Sequence, residues 1–251
     1  MSANLWKTQI QKHAKFLHLT TVPLVYADLS EKAAKTALSY EEFLALLLDQ
    51  EVAKKTDVSV QRRISVAKFP FLKTLEEFDF SFQPSLPEKE VLRLGTLDFI
   101  DKKENILLLG PPGVGKSHLA VALGIKACSA RLRIHFTTAQ ALIKQLTIAE
   151  KDGSLVDSLA YFSRLHLLII DEMGYMPISN SEANLLFQII STRYEKGAII
   201  LTSNFNFDEW GRFFSDSVVA SAIIDRLVHH AHLFFVNGAS YRLKNKLKKT
   251  L

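Results

Sequence analysis

Residues 110–117 read Gly-Pro-Pro-Gly-Val-Gly-Lys-Ser, the G-x-x-x-x-G-K-[ST] spacing of a phosphate-binding loop. The chemistry of such a loop is polyphosphate recognition. Gly110, Gly113 and Gly115 let the backbone through Pro111, Pro112 and Val114 curl with its N–H groups inward. Lys116 is placed to reach the β- and γ-phosphates and Ser117 to put a hydroxyl on Mg²⁺, while His118 lies in the helix whose positive N-terminal end completes the nest. A glycine-rich turn that merely carries Lys-Ser is the bland alternative. The flanks oppose it: the apolar run Ile106–Leu109 precedes the loop and a helix-like stretch from His118 to Ala127 follows, so the expected ligand is a nucleoside triphosphate.

A Mg²⁺-dependent phosphate loop needs an acid at the end of a neighbouring buried strand. The run Leu167-Leu168-Ile169-Ile170-Asp171-Glu172 supplies one, its four apolar residues reading as a strand buried on both faces. Asp171 is the candidate Mg²⁺ ligand together with Ser117, and Glu172 the candidate general base that polarises an attacking water. A further strand, Ala198 to Ser203, ends on Asn204, whose amide is positioned to orient that water or sense the γ-phosphate. Taken alone, Asn204 reads as a turn residue.

The series GPPGVGKSHLA at 110–120, LLIIDE at 167–172, ILTSN at 200–204 and DRL at 225–227 resembles the AAA+ superfamily, in its IstB/DnaC branch. FDFSFQPSLP at 78–87 and SVQRRI…AKFP at 59–70 narrow the resemblance to IstB-like transposition helper ATPases of bacterial insertion sequences. The resemblance implies an α/β fold, an AAA+ P-loop core with a central parallel sheet of five strands, preceded by a small helical N-terminal domain. It also implies ATP and Mg²⁺ as cofactors, with ATP held between subunits of a homo-oligomer. Arg226 then takes the position of an arginine finger inserted by a neighbour, although an exposed helix arginine paired with Asp225 is the ordinary reading. Arg242 matches the sensor arginine that touches ATP in cis, and Arg193 stands in reserve for an intersubunit contact.

The net charge of +5 is unevenly spread. Lys54, Lys55, Arg62, Arg63, Lys68 and Lys73 face one acid, Asp57, over residues 54–73, and Arg242, Lys244, Lys246, Lys248 and Lys249 face none. Such clusters are the footprint of a polyanion held through its phosphates, or else ordinary solvated faces. Lys54, Lys55, Arg62, Arg63 and Lys68 are the candidate duplex-DNA contacts. The phenylalanines at 69, 71, 78, 80 and 82 are better explained by core packing than by base stacking.

The single cysteine, Cys128, excludes a disulfide framework and reads as a small buried thiol. No apolar stretch is long enough for a membrane span and no signal-peptide core opens the chain, so a bacterial cytoplasmic location without membrane partners is expected. Upstream of the core, Ser39 to Glu42 is a capping box that starts one helix, a second helix is expected from near Asp57, and Phe78, Phe80 and Phe82 alternate like a short extended segment. The boundary falls between 70 and 88, giving a helical domain at 1–75, for DNA or oligomer contacts, and an ATPase domain at 76–251.

Together these features point to an ATPase that oligomerises on duplex DNA and assists the transposase of the same insertion element in selecting or preparing target DNA. Hydrolysis would switch or disassemble the complex. A helicase-loader-like adaptor acting on a replicative helicase is the alternative. A scaffold without turnover is disfavoured by Glu172, since a pure binder has no use for a base beside the Mg²⁺ acid.

Overall fold

The computed structural model describes residues 2–242, so the basic positions Lys244, Lys246, Lys248 and Lys249 lie outside the described residues. The chain divides into two compact units, residues 1–62 and 63–251.

The first unit holds α1 (Ser2–Phe16), α2 (Val22–Thr36) and most of α3 (Tyr40–Ala67). The capping box forms as expected: Ser39 N donates to Glu42 Oε2 at 2.7 Å and Glu42 N donates to Ser39 Oγ at 3.2 Å. The helix it starts then runs unbroken to Ala67, where two helices were expected. No Gly or Pro interrupts 40–67, and the β-branched residues near Asp57 lower helix propensity without breaking it. Thr21 makes no side-chain cap for α2. Instead the buried Glu51 carboxylate of α3 accepts the N–H groups of Thr20, Thr21 and Val22 at 2.9, 2.6 and 3.0 Å, satisfying the orphan donors of that helix start. Burial pushes the Glu51 carboxyl up, but these bonds and nearby Lys55 outweigh it and hold the group below its ordinary value.

The second unit begins upstream of the expected boundary, because Ala67, Leu75 and Phe78 are buried in the apolar core on one face of its sheet. Phe78, Phe80 and Phe82 do not form an extended segment. Asp79 accepts from Phe82 N and closes a single 3₁₀ turn over Phe80–Phe82, with the Phe78 and Phe80 rings edge to face at 4.8 Å.

The sheet has five strands, all parallel: β1 (Asn105–Leu109), β2 (Ile134–Thr138), β3 (Leu167–Met173), β4 (Ala198–Ser203) and β5 (Ala231–Phe235), in the order β2-β3-β4-β1-β5. Side chains alternate between its faces. Ile106, Leu108, Ile169 and Ile200 pack against α4 (Glu88–Leu94), α5 (Asp98–Asp101) and α6 (Lys116–Ser129). Leu107, Leu168, Ile170 and Leu201 pack against α7 (Ala139–Lys151), α8 (Leu155–Ser163), α9 (Asn180–Arg193) and α10 (Ser217–Val228). Helices on both faces explain why the central strands are continuous apolar runs. Cys128 is fully buried in α6, and burial raises its thiol to about 11, which fits the inert reading. No helix among the described residues is long and apolar enough to cross a membrane.

Candidate active site

The phosphate loop leaves β1 and enters α6, which starts at Lys116 itself. The chain after β5 lies directly on it: Val236 N donates to Leu109 O at 2.7 Å and Tyr241 N to Gly113 O at 2.9 Å. A Cβ at Gly110, where φ is 141°, would sit 2.1 Å from Val236 O, so only glycine fits beneath this strap. Gln83 Nε2 holds the strap from the other side through Ala239 O at 3.3 Å, and the Phe82 and Tyr241 rings meet edge to face at 5.1 Å.

Loop, strap and the tips of β3 and β4 enclose a cavity of about 460 Å³. Its walls include Lys116, Ser117, His118, Glu172, Thr202, Asn204 and Arg242, so the cavity gathers residues expected from four separate sequence motifs. Lys116 Nζ donates to Gly110 O at 2.6 Å, Pro111 O at 2.8 Å and Asn204 Oδ1 at 2.9 Å, which ties the loop to the tip of β4. Burial, with Arg242 adding and Asp171 opposing, lowers the Lys116 ammonium to about 8. A bound polyphosphate would restore the charged form. Burial likewise lowers His118, whose Nε2 lies 2.8 Å from Thr74 O and whose ring packs against Phe78.

Ser117 Oγ donates to Asp171 Oδ1 at 2.9 Å, and Thr202 Oγ1 donates to the same oxygen. A hydroxyl and a carboxylate in contact are a donor set for a hard cation, so Ser117 and Asp171 fit Mg²⁺. Thr202 does a second job, because its Oγ1 accepts the N–H of Glu172 at 3.1 Å. The pairing of β3 with β4 slips between Ile170 and Met173, and Glu172 lies in that slip with φ at 60°. Ser203 Oγ donates to Met173 O at 2.9 Å and closes the far side. The result is a β-bulge, clamped by two hydroxyls, that turns the Glu172 side chain out of the sheet while Asp171 stays buried.

Thr202 went unnoticed in the sequence. Its signal was the pair of hydroxyl residues, Thr202 and Ser203, that ends an otherwise apolar strand. The wall formed by Phe82, Gln83 and Tyr241 was also unexpected, since it depends on the strap.

The remaining candidates fall elsewhere. Arg226 lies on α10 outside the cavity, where Nη1 donates to Ala222 O at 3.1 Å and the guanidinium stacks 4.6 Å over the Phe187 ring. Among the described contacts that ring takes the place of Asp225, the partner of the ordinary reading. Arg193 is a correction: it is 1% exposed and donates to Phe162 O, Leu165 O and Ala198 O, so it braces the end of α8 and cannot reach another subunit. Arg63, a candidate DNA contact, is half-buried, with Nε buried and unpaired, because its helix turn packs toward Cys128. Lys54, Arg62 and Lys68 are exposed, and Lys55 pairs with Glu51 at 3.7 Å.

The family model described as IstB-like ATP binding protein matches residues 12–249. A protein named for ATP binding in insertion sequence IS5376 of Geobacillus stearothermophilus is 45% identical over 240 residues, 96% of each chain. Its counterpart in insertion sequence IS21 of Pseudomonas aeruginosa is 47% identical over 221 residues, 88% of this chain and 83% of that one. Among solved structures, DnaI has a TM-score of 0.57 at 19% identity, covering 66% of this chain and 91% of its own. AMPPCP-bound DnaA from Aquifex aeolicus has a TM-score of 0.57 at 22% identity, covering 72% of this chain but only 56% of its own, little over half its length. Both are P-loop AAA+ proteins, and likeness at these identities is likeness of fold. The sequence match, in contrast, runs through the helical unit as well as the sheet, and the chain belongs to the family of IstB-like ATP-binding proteins found with insertion sequences.

Proposed function

We propose that the chain hydrolyses ATP and assembles with copies of itself on duplex DNA, where it assists the transposase of its own insertion element in selecting or preparing target DNA. The observation that carries the hydrolytic part is the clamped bulge. A protein that only bound nucleotide would need Lys116, Ser117 and Asp171, whereas a second carboxylate turned out of the sheet into the phosphate-loop cavity serves a water.

In this reading Lys116 exchanges its carbonyl partners for the β- and γ-phosphates, and Asn204 Oδ1 keeps its ammonium aligned. Ser117 and Asp171 would hold Mg²⁺, which would supply neutralisation of charge on the phosphate oxygens. Glu172 accepts the proton of the attacking water. Arg242 faces the γ-phosphate from within the chain, and Arg226 reaches the site of a neighbouring subunit by leaving its place over Phe187. Lys54, Arg62 and Lys68 contact DNA phosphates. The insertion-sequence relatives support the transposase context.

The test is turnover and assembly measured together. Glu172→Gln should retain ATP binding, lose turnover by about 10²-fold or more, and trap the protein in large assemblies on duplex DNA several helical turns long. Lys116→Ala should bind neither ATP nor, in its presence, DNA as an assembly. Unchanged turnover in Glu172→Gln removes the base, and failure of the parent protein to assemble on DNA with ATP removes the DNA reading. A tight complex with a replicative helicase would replace it with the adaptor function.

A further inference from the structure

Glu195, His229 and His230 form a group of metal-ligating side chains, each offering a donor atom within 4.8 Å of the others. We propose that these three residues bind a transition-metal dication of the Zn²⁺ class, and that the ion clamps together the amino ends of β4 and β5, at the end of the sheet away from the phosphate loop. The inference is independent of the ATPase and DNA readings above.

The backbone beneath the group is anchored. Glu195 follows α9 and precedes β4, while His229 and His230 follow α10 and precede β5. Those two strands flank β1, so their starts stand about 10 Å apart, two strand spacings. Asn105, the first residue of β1, bridges that gap from inside. Its N–H donates to His230 O at 2.7 Å, its side-chain amide donates to Leu227 O at 3.0 Å, and its Oδ1 accepts from Ile199 N at 2.9 Å. On the Glu195 side, Gly197 N donates to Arg193 O at 3.0 Å and closes the turn in which Glu195 adopts a φ of 57°. Donors carried on backbone fixed in this way bind an ion without the ordering cost that a loose loop incurs.

The side chains suit one ion. His230 Nε2 lies 3.4 Å from Glu195 Oε1. Ligands about 2.0–2.1 Å from a tetrahedral Zn²⁺ stand about 3.4 Å from one another, so this pair already spans one edge of the polyhedron. The His229 ring centroid is 4.0 Å from that of His230, close enough for side-chain rotation to complete the set. Tyr194 Oη lies 2.6 Å from His229 Nδ1. With Nδ1 donating, Nε2 keeps its lone pair for the ion, and the bond to Tyr194 orients the ring as outer partners of metal-bound imidazoles do. A simple ion pair fits less well: as an imidazolium, His230 would hold its charge against the adjacent His229 ring, whereas a dication binds both rings in neutral form. Two nitrogens and one carboxylate favour Zn²⁺ over Mg²⁺, which takes oxygen ligands. His232 is held by Glu104 at 2.9 Å and stays outside the set. All three side chains are exposed, which gives the ion a path in and leaves water the fourth position.

The experiment titrates Zn²⁺ into the untagged full chain by calorimetry, in excess Mg²⁺ so that oxygen-donor positions such as Ser117 and Asp171 do not contribute. The parent should take up Zn²⁺ at one ion per chain. Its thermal unfolding should rise by about 5–10 °C at a Zn²⁺ concentration about a hundredfold above Kd. His229→Ala/His230→Ala should unfold as the parent does without Zn²⁺ and lose both the binding and the shift. Tyr194→Phe, which keeps all three ligands, should weaken binding by about 10-fold or more. Co²⁺ added in place of Zn²⁺ should give the intense visible absorption of a four-coordinate site in the parent and none in the double variant. Equal Zn²⁺ uptake and an equal thermal shift in parent and double variant would assign the ion to other side chains and overturn the proposal. A parent that takes up no Zn²⁺ in excess Mg²⁺ overturns it as well.

Discussion

Replacing Thr202 by valine tests whether the bulge positions the base. Valine keeps the shape of the buried threonine and removes the hydroxyl that donates to Asp171 Oδ1 and accepts from Glu172 N. A hydrogen bond to a carboxylate contributes about 1.5–3 kcal/mol, and an N–H left without a partner costs about 1–3 kcal/mol where it is buried. Because the Glu172 backbone lies at the rim of the cavity, water recovers part of the second amount, and a net loss of about 3 kcal/mol is expected. For a unit of this size each kcal/mol is worth about 2–4 °C, so thermal unfolding should fall by about 6–12 °C. Turnover should suffer separately. Freed from Thr202, the bulge relaxes and the carboxylate shifts, and a displacement near 1 Å costs about 10²-fold in rate. Steady-state assays should therefore show kcat down about 10²-fold with KM for ATP within about threefold, since Lys116 and Ser117 are untouched. Thr202→Ser, which keeps the hydroxyl, should restore most of both. A valine variant with parental kcat and lowered stability would refute the positioning role, and one with parental stability would refute the bond pair.

Arg193→Ala should cost about 3 kcal/mol or more, because three buried carbonyls lose their donor; denaturant unfolding would show it. Arg226→Ala removes only a ring contact and one helix carbonyl bond, so stability should change by about 1 kcal/mol or less while turnover of the DNA-bound assembly falls. Stability should also decline in mild acid through His135. Burial, with Lys68 nearby, lowers its imidazole to about 4, against about 6.5 in an unfolded chain. Its contribution is complete above about pH 6.5 and is lost as pH falls toward 4, by up to about 3 kcal/mol, and His135→Gln should flatten that slope in pH-dependent unfolding.

The strands that carry the chemistry were legible because sequence and burial agree there. Ile106–Leu109, Leu167–Ile170 and Ala198–Leu201 are apolar without interruption, and each run ends where function begins. β2 was not, since it mixes His135, Thr137 and Thr138 among its apolar residues at the edge of the sheet. The bulge at Glu172 was invisible for a different reason: it exists only in the pairing of β3 with β4. Arg193 could have been read correctly, because it follows Ile189 and Ile190 at helical spacing and so shares their buried face. The alternating phenylalanines misled because Asp79 between them caps a turn.

Asn105, at the foot of β1, adds a kinetic aspect. Its amide donates to Leu227 O, 122 residues onward, and accepts from Ile199 N, 94 residues onward. Among the described residues β1 pairs only with β4 and β5, so the strand that bears the phosphate loop has no partner until much of the later chain is in place. Closing loops of that length precedes any reward from the contacts, which makes such topologies slow to fold. During that interval Ile106–Leu109 is an unpaired apolar strand, the kind of segment that joins other chains. Refolding at high protein concentration should therefore be limited by aggregation through β1, and nucleotide affinity should be among the last native properties to return.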